Sequence, residues 1–179
     1  MSQVLSSQAQ YGGVHDMQDK AALRRCTDRE QDMVRSAVIC HATRGLVGLD
    51  LLCAGSGEDC VEVFAVEPSA SAEASQRAPF LAGVHIARIC RGRMEPLMGL
   101  LSALWGYVDR GYLIVDERAE ALFLYGRDIF PKSVIRYSRA PCGVYAVLNR
   151  RWEPLGWATR QGRIYKHLLD AGWYLRSGL

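Results

Sequence analysis

The sequence lacks any long hydrophobic run. No stretch of its 179 residues reaches the roughly 18 consecutive apolar residues that cross a bilayer, and the polar opening MSQVLSSQAQ has no signal-peptide apolar core. We therefore expect a soluble, intracellular protein without membrane contacts. Hydrophobic residues still make up 49% of the chain, which is enough to bury one large core or two small ones.

The chain also lacks the spacings that identify metal and catalytic sites. Its six cysteines include no C-x-x-C pair, and its four histidines lack the i, i+4 spacing of a metal-binding helix. We expect most of the cysteines to be small buried apolar residues. Cys40 and His41 are adjacent, but neighbours on a helix point to different faces and do not share a proton easily. The sequence thus predicts no catalytic residue, no metal and no cofactor.

One glycine-rich segment has the look of a nucleotide site. GLDLLCAGSGED followed by VEVFAVE looks at first like a methyltransferase, in which Glu67 would bind the ribose. However, only three residues separate Gly57 from Val61, whereas a parallel crossover needs at least about a dozen. The two runs therefore predict a β-hairpin.

Charge is distributed unevenly along the chain. Residues 1–111 carry 11 Lys/Arg against 13 Asp/Glu, whereas residues 112–179 carry 11 against 6. A local cationic face concentrates polyanions, so nucleic acid is a plausible partner for the C-terminal third. An ordinary solvated face remains the alternative.

Periodicity places the main elements. Residues 1–19 show none, and we expect a flexible tail there. Thr27 and Glu30 form a T-x-x-E capping box before a helix that ends near Gly45. PLMGLLSALWGYV predicts a buried helix of 13 residues. Five or six short apolar runs after Gly111 predict strands of a compact, partly closed barrel, namely YLIVD, EALFLY, SVIRY, GVYAVL and PLGWAT, with RIYKHL as a candidate sixth.

These C-terminal residues resemble a known RNA-binding module. LFLYGRDIFPKSV, with GVYAVLN and PLGWA downstream, is similar to the PUA domain. The order of elements over about residues 25–179 resembles the Nip-seven family of large-subunit ribosome biogenesis factors, and the ending DAGWYLRSG resembles its archaeal branch. The resemblance implies an α+β fold, with an α/β pre-PUA domain of mainly antiparallel sheet and helices at 20–111 and a PUA pseudo-barrel at 112–179.

The resemblance also implies a function. It indicates a non-catalytic protein that assists large-subunit ribosome biogenesis and pre-rRNA processing, and that binds uridine-rich or AU-rich single-stranded RNA through the PUA domain. Other biogenesis proteins would bind the pre-PUA domain. We expect a monomer in the cytoplasm, or in the nucleolus of a eukaryote. Two alternatives stay open, an RNA-modifying enzyme or accessory subunit whose PUA domain recruits RNA, and an adaptor whose basic face docks acidic partners.

By the same resemblance, RNA contacts lie just after the L-G-x-x strand, at Thr159, Arg160, Arg163 and Lys166. Guanidinium groups bind phosphate oxygens with two donors and stack on unpaired bases, whereas a threonine hydroxyl donates one hydrogen bond. Arg150 and Arg151 extend this surface, and the adjacent Trp152 either stacks on a base or packs on the module. A second patch flanks Gly126 and is either solubilising or continuous with the first; it contains Arg127, Lys132, Arg136 and Arg139.

Overall fold

The computed structural model describes residues 23–55, 59–71 and 83–176. The predicted tail, residues 1–19, lies outside the described residues. The chain has an α+β fold of two five-stranded sheets with short helices, as predicted from the sequence. Within the described residues, no helix has the length and apolar character required to cross a membrane.

The first sheet is antiparallel throughout, with the strands in chain order. The predicted hairpin is confirmed, because Asp50 pairs with Val66 and Gly55 with Val61 in an antiparallel register. The described strands at Asp50–Gly55 and Cys60–Val66 are therefore not joined by the parallel crossover that a nucleotide site of this kind requires. The strands are β1 (Arg24–Arg25), β2 (Asp50–Gly55), β3 (Cys60–Val66), β4 (Val84–Cys90) and β5 (Arg93–Pro96).

Helix α1 (Asp28–Ile39) begins at the predicted capping box. The Thr27 hydroxyl accepts from the Glu30 amide, and the Glu30 carboxylate accepts from the Thr27 amide at 2.7 Å. Val34 and Val38 bury one face of the helix, which therefore lies against the first sheet. The helix ends at Ile39, earlier than the predicted end near Gly45.

The expectation that most of the cysteines are buried apolar residues was wrong, because only Cys26 and Cys53 are buried, and both of these form a disulfide bond. Cys26 is joined to Cys53, and Cys60 to Cys90, by disulfide bonds. The first bond ties the entrance of α1 to the middle of β2, and the second joins residues directly opposite each other on β3 and β4. The remaining two, Cys40 and Cys142, are free thiols.

The predicted helix of 13 residues was also wrong in length. Helix α2 spans only Met98–Ala103, and the chain then turns at Gly106, whose φ of 83° lies in the left-handed region that favours glycine. Leu100, Leu101 and Leu104 are buried as the apolar pattern requires. The early turn leaves Trp105 and Tyr107 more than half exposed.

The second sheet has the order β10-β9-β8-β6-β7, antiparallel except for the β6–β8 pair. The predicted strand EALFLY is instead helix α3 (Glu117–Phe123), because the Asp116 carboxylate caps it by accepting from the Ala119 amide at 2.8 Å. The strands are β6 (Tyr112–Val115), β7 (Val134–Tyr137), β8 (Val144–Leu148), β9 (Pro154–Gln161) and β10 (Ile164–Asp170), followed by the short α4 (Trp173–Arg176).

The two sheets share a hydrophobic core. Ala146, Leu148 and Trp157 of the second sheet pack in the same buried cluster as α1, α2 and the first sheet. The fully buried Trp157 donates from Nε1 to the Leu97 carbonyl at 3.0 Å, which satisfies its only polar side-chain atom. We call this contact region the seam. A separate cluster on the other face of the second sheet contains Phe123 and Tyr145.

The end of the described chain is held by a buried carboxylate. Asp170 is fully buried and lies 2.6 Å from Nη2 of Arg176 and 2.5 Å from Nε2 of His167. Arg176 also donates to the Leu124 carbonyl at the end of α3. These contacts fix α4 against the second sheet.

Candidate nucleic-acid interface

Four predicted RNA-binding residues lie on the β9–β10 hairpin, which we call the hairpin cluster: Thr159, Arg160, Arg163 and Lys166. Gln161 pairs with Ile164, so the connection contains only Gly162 and Arg163. Gly162 has a φ of 60°, which fits the first central position of a type II′ turn. The tight turn places the Arg163 side chain at the tip of the hairpin, where it is exposed.

The pairing register divides the hairpin cluster between two faces. Arg160 pairs with Tyr165, and Thr159 pairs with Lys166. Because successive side chains on a strand point to opposite faces, Arg160 lies on one face of the hairpin and Lys166 on the other. The four predicted residues therefore do not form a single cationic surface.

The charge of Lys166 is already matched within the protein. Its Nζ lies 2.7 Å from Oδ2 of Asp128, and the same carboxylate accepts from the His167 amide at 3.0 Å. Burial would raise the pKa of Asp128, but the bonds from Lys166 and the His167 amide outweigh it and lower that pKa. Lys166 is thus less available to phosphate than the sequence indicates. Asp128, which directly follows Arg127 of the second predicted patch, was not anticipated from the sequence.

Thr159 is also engaged internally. Its hydroxyl donates to the Gly143 carbonyl at 3.1 Å. Arg160 makes only a long hydrogen bond from Nε to the Gly162 carbonyl at 3.4 Å. In the described part of the chain, neither Arg160 nor Arg163 forms an ion pair, so both guanidinium groups are free to bind anions.

Exposed aromatic residues of the second sheet and of the turn after α3 were not predicted as site residues from the sequence. Tyr137 on the edge strand β7 is 64% exposed. Arg160 and Tyr137 both act electrostatically on the pKa of the buried Tyr165. Burial is the main cause that raises the pKa of Tyr165, and the Arg160 charge opposes it. Tyr125, just after α3, is 72% exposed.

Arg127 and Lys132 lie on either side of the Ile129–Tyr165 bridge, which joins the loop after α3 to β10. Both side chains are exposed. The bridge brings Arg127 and Lys132 of the second predicted patch beside the hairpin. Arg136 of the same patch lies at the opposite end of the sheet, where its guanidinium is 5.8 Å from the ring of Trp152.

Arg150, Arg151 and Trp152 lie at the other end of β9. Arg160 lies six positions after Pro154 on this strand, so about 20 Å lies between the two ends. Arg150 and Arg151 consequently do not extend the hairpin cluster. Trp152 packs against Tyr112, with ring centroids 5.0 Å apart. The Trp152 side chain is nevertheless 37% exposed, so part of its ring is accessible to a ligand.

Two cysteine-containing arrangements bear on metal binding and catalysis. Cys26, Glu30 and Cys53 lie close together, but both sulfur atoms are used in the disulfide. At the seam, Sγ of Cys142 lies 3.8 Å from Nε2 of His41, a contact between distant parts of the sequence. Burial lowers the pKa of His41 to about 4, and burial and the neighbouring Cys142 raise the pKa of Cys40 to about 11. With a pKa of about 11, Cys40 is a thiol near neutral pH, whereas a cysteine nucleophile acts as the thiolate.

Comparison with known proteins identifies the C-terminal part. Residues 111–179 match the family model described as the UPF0113 PUA domain. A UPF0113 protein of Archaeoglobus fulgidus is 32% identical over 136 residues, which cover 75% of this chain and 76% of that protein. The chain belongs to the UPF0113 family. A second UPF0113 protein, from Aeropyrum pernix, is 37% identical over 68 residues, and the aligned part spans only 37% of that relative.

Solved structures share the fold of this UPF0113 chain at low sequence identity. A conserved PUA domain protein from Thermoplasma acidophilum aligns with a TM-score of 0.55 at 14% identity, covering 84% of this chain and 95% of that one. A hypothetical protein from the hyperthermophilic archaeon Pyrococcus horikoshii aligns with a TM-score of 0.56 at 12% identity, covering 86% and 98%. The C-terminal sheet is thus a PUA domain, a class of module that suggests RNA binding.

Proposed function

We propose that this UPF0113 protein is a non-catalytic RNA-binding protein that contacts single-stranded, uridine-rich or AU-rich RNA through the hairpin cluster of its PUA domain. The observation that carries the proposal is the pair Arg160 and Arg163, exposed on a PUA domain and without an ion pair among the described residues. Guanidinium groups bind phosphate through two parallel donors and also stack on unpaired bases. Arg160 and Arg163 are the principal contacts, and Lys166 contributes less because Asp128 neutralises it.

We further propose a role in large-subunit ribosome biogenesis and pre-rRNA processing, on the resemblance to the Nip-seven family. The pre-PUA half, with its slight excess of acidic residues, would bind protein partners and leave RNA to the basic half.

We also propose a cytoplasmic location, which requires a cytosol in which the two disulfides persist. Structural disulfides are rare in the cytosol of most organisms, but hyperthermophilic archaea are an exception. The two disulfides therefore favour a host of that kind if the protein works in the cytoplasm.

Salt-dependent RNA binding tests the proposal. The affinity of the folded chain for a uridine-rich strand of about 16 nucleotides is measured over a range of salt concentrations. The Arg160→Ala/Arg163→Ala double variant should bind more weakly, and its log–log salt slope should be smaller by about 1.4, or about 0.7 for each phosphate that is no longer neutralised. Lys166→Ala is the matched control and should change the slope by less than about 0.7.

Two outcomes would contradict the proposal. A folded double variant with the affinity and slope of the wild type would remove the hairpin cluster from the interface. Equal affinity for uridine-rich and cytidine-rich strands would remove the uridine preference while leaving general RNA binding intact.

A further inference from the structure

A second group of exposed aromatic and basic side chains lies at the seam, which we call the seam cluster: Trp105, Arg136, Arg150, Arg151 and Trp152. Trp105 comes from the turn after α2 and is 58% exposed. Its Nε1 donates to the Trp152 carbonyl at 3.1 Å, across the boundary between the two sheets. The hydrogen bond restricts the orientation of the indole while its ring remains open to solvent. A large exposed ring held in one orientation is preorganised to stack on a flat ligand.

The loop that carries Trp152 is held in an uncommon conformation. Trp152 has a φ of 64°, which is an outlier for a bulky residue. The buried Asn149 fixes the loop, because its Oδ1 accepts from the amides of Arg151 and Glu153 at 2.9 and 3.0 Å. Such backbone strain persists where the surrounding contacts over-determine it, and it is concentrated at binding sites. The loop therefore presents Arg150 and Arg151 from a rigid base.

The basic side chains of the seam cluster are open to an external anion. Arg136, Arg150 and Arg151 are exposed, and within the described residues no carboxylate lies within ion-pair distance of them. Arg136 instead lies over the ring of Trp152 at 5.8 Å. A flat aromatic face selects a π-system, and free guanidinium groups select phosphate. An unpaired nucleotide carries both groups.

We propose that the seam cluster is a second RNA contact, at which one unpaired nucleobase stacks on Trp105 while Arg150 and Arg151 bind the adjoining phosphates. This inference rests on the proposed RNA-binding function and adds a site at the opposite end of β9 from the hairpin cluster. A strand that reaches both ends gains affinity because its second contact becomes intramolecular. Strand length is therefore predicted to control affinity.

The test combines tryptophan fluorescence with binding to uridine-rich strands of about 4 and about 16 nucleotides. Trp105→Ala should weaken binding of the longer strand about tenfold with an unchanged salt slope, because the base has no ring to stack on while the phosphates keep their partners. Trp105→Phe keeps an aromatic face and should retain most of the affinity. Arg150→Ala/Arg151→Ala should lower the salt slope by about 1.4. Ile39→Ala, another exposed apolar residue but far from the seam cluster in sequence, is the matched control and should bind as the wild type does.

Fluorescence separates stacking from other causes. Bound RNA should quench the wild-type signal, and the quenching should be smaller in Trp105→Phe, in which Trp152 is the remaining exposed indole of the seam cluster and Trp157 is buried. The inference is overturned if Trp105→Ala binds the longer strand with unchanged affinity, or if the wild type and Trp105→Phe are quenched equally. In either case the proposed function stands as long as Arg160→Ala/Arg163→Ala still weakens binding. Failure of the wild type to bind RNA of any length would refute both.

Discussion

Removal of the two disulfides gives a quantitative test of the fold. The Cys26–Cys53 and Cys60–Cys90 bonds span 27 and 30 residues. Loop-closure entropy in the unfolded chain predicts that each bond stabilises the protein by about 3.5 kcal/mol. Because the loops are nearly equal in length, this contribution is almost the same for both. Any further difference between the two variants reports on packing in the folded state.

The two sites differ in burial. Cys26 and Cys53 lie in the main core at 4% and 0% exposure, whereas Cys60 and Cys90 are half-buried on the first sheet. Cys60→Ala/Cys90→Ala should therefore lower the free energy of unfolding by about 3.5 kcal/mol. Cys26→Ala/Cys53→Ala should lower it further, because removal of the buried sulfur atoms leaves a cavity.

Guanidinium chloride unfolding without reductant measures both values, and thiol titration of the denatured, unreduced wild type provides the control. That titration should find two free thiols, Cys40 and Cys142. Six free thiols would refute the disulfide assignment. A Cys60→Ala/Cys90→Ala variant within about 1 kcal/mol of the wild type would contradict the loop-entropy explanation.

Three further variants test the seam and the end of the chain. Burial lowers the pKa of His41 from 6.5 to about 4. Between pH 6.5 and about pH 4 the unfolded chain therefore binds one more proton than the folded chain. The free energy of unfolding should fall by up to about 3 kcal/mol as the pH drops through this window. Urea unfolding should show a flatter pH dependence for His41→Gln. Asp170→Asn should destabilise the protein by about 3 kcal/mol, because Arg176 loses its buried partner. Trp157→Phe should cost at least about 1 kcal/mol, because the Leu97 carbonyl loses its donor.

Each of these predictions has a contradicting result. An unchanged pH profile in His41→Gln would assign the acid sensitivity to other groups. An Asp170→Asn protein as stable as the wild type would mean that the buried ion pair adds nothing to folding. A Trp157→Phe protein with an unaltered thermal midpoint would show that the seam hydrogen bond is dispensable.

Much of the fold follows from local signals in the sequence. The capping box of Thr27 and Glu30 and the three-residue gap between Gly57 and Val61 were sufficient to predict α1 and the β2–β3 hairpin. Helix α3 was missed because its apolar run matches a strand equally well. The decisive signal was the Asp116 cap with Ala119 and Phe123 at i, i+4 spacing.

The site was less predictable, because it depends on pairs that are distant in sequence. The strand register places Arg160 and Lys166 on opposite faces of the hairpin. The ion pair between Asp128 and Lys166 forms only when the chain folds, because 38 positions separate the two residues in the sequence. Disulfide connectivity likewise cannot be deduced from cysteine positions alone. The exposure of Trp105 depends on where Gly106 ends the segment after α2, which apolar periodicity does not reveal.

The core shared across the seam has a consequence for how the chain is divided. The family model begins at residue 111, yet Ala146, Leu148 and Trp157 of that segment are covered by residues that precede it. A fragment cut at this point would expose an apolar face to water and would tend to aggregate. The segment that the family model matches is therefore smaller than the unit that folds. We expect substitutions of contacting core residues on the two sides of the seam to be correlated among relatives, as they are within a single domain.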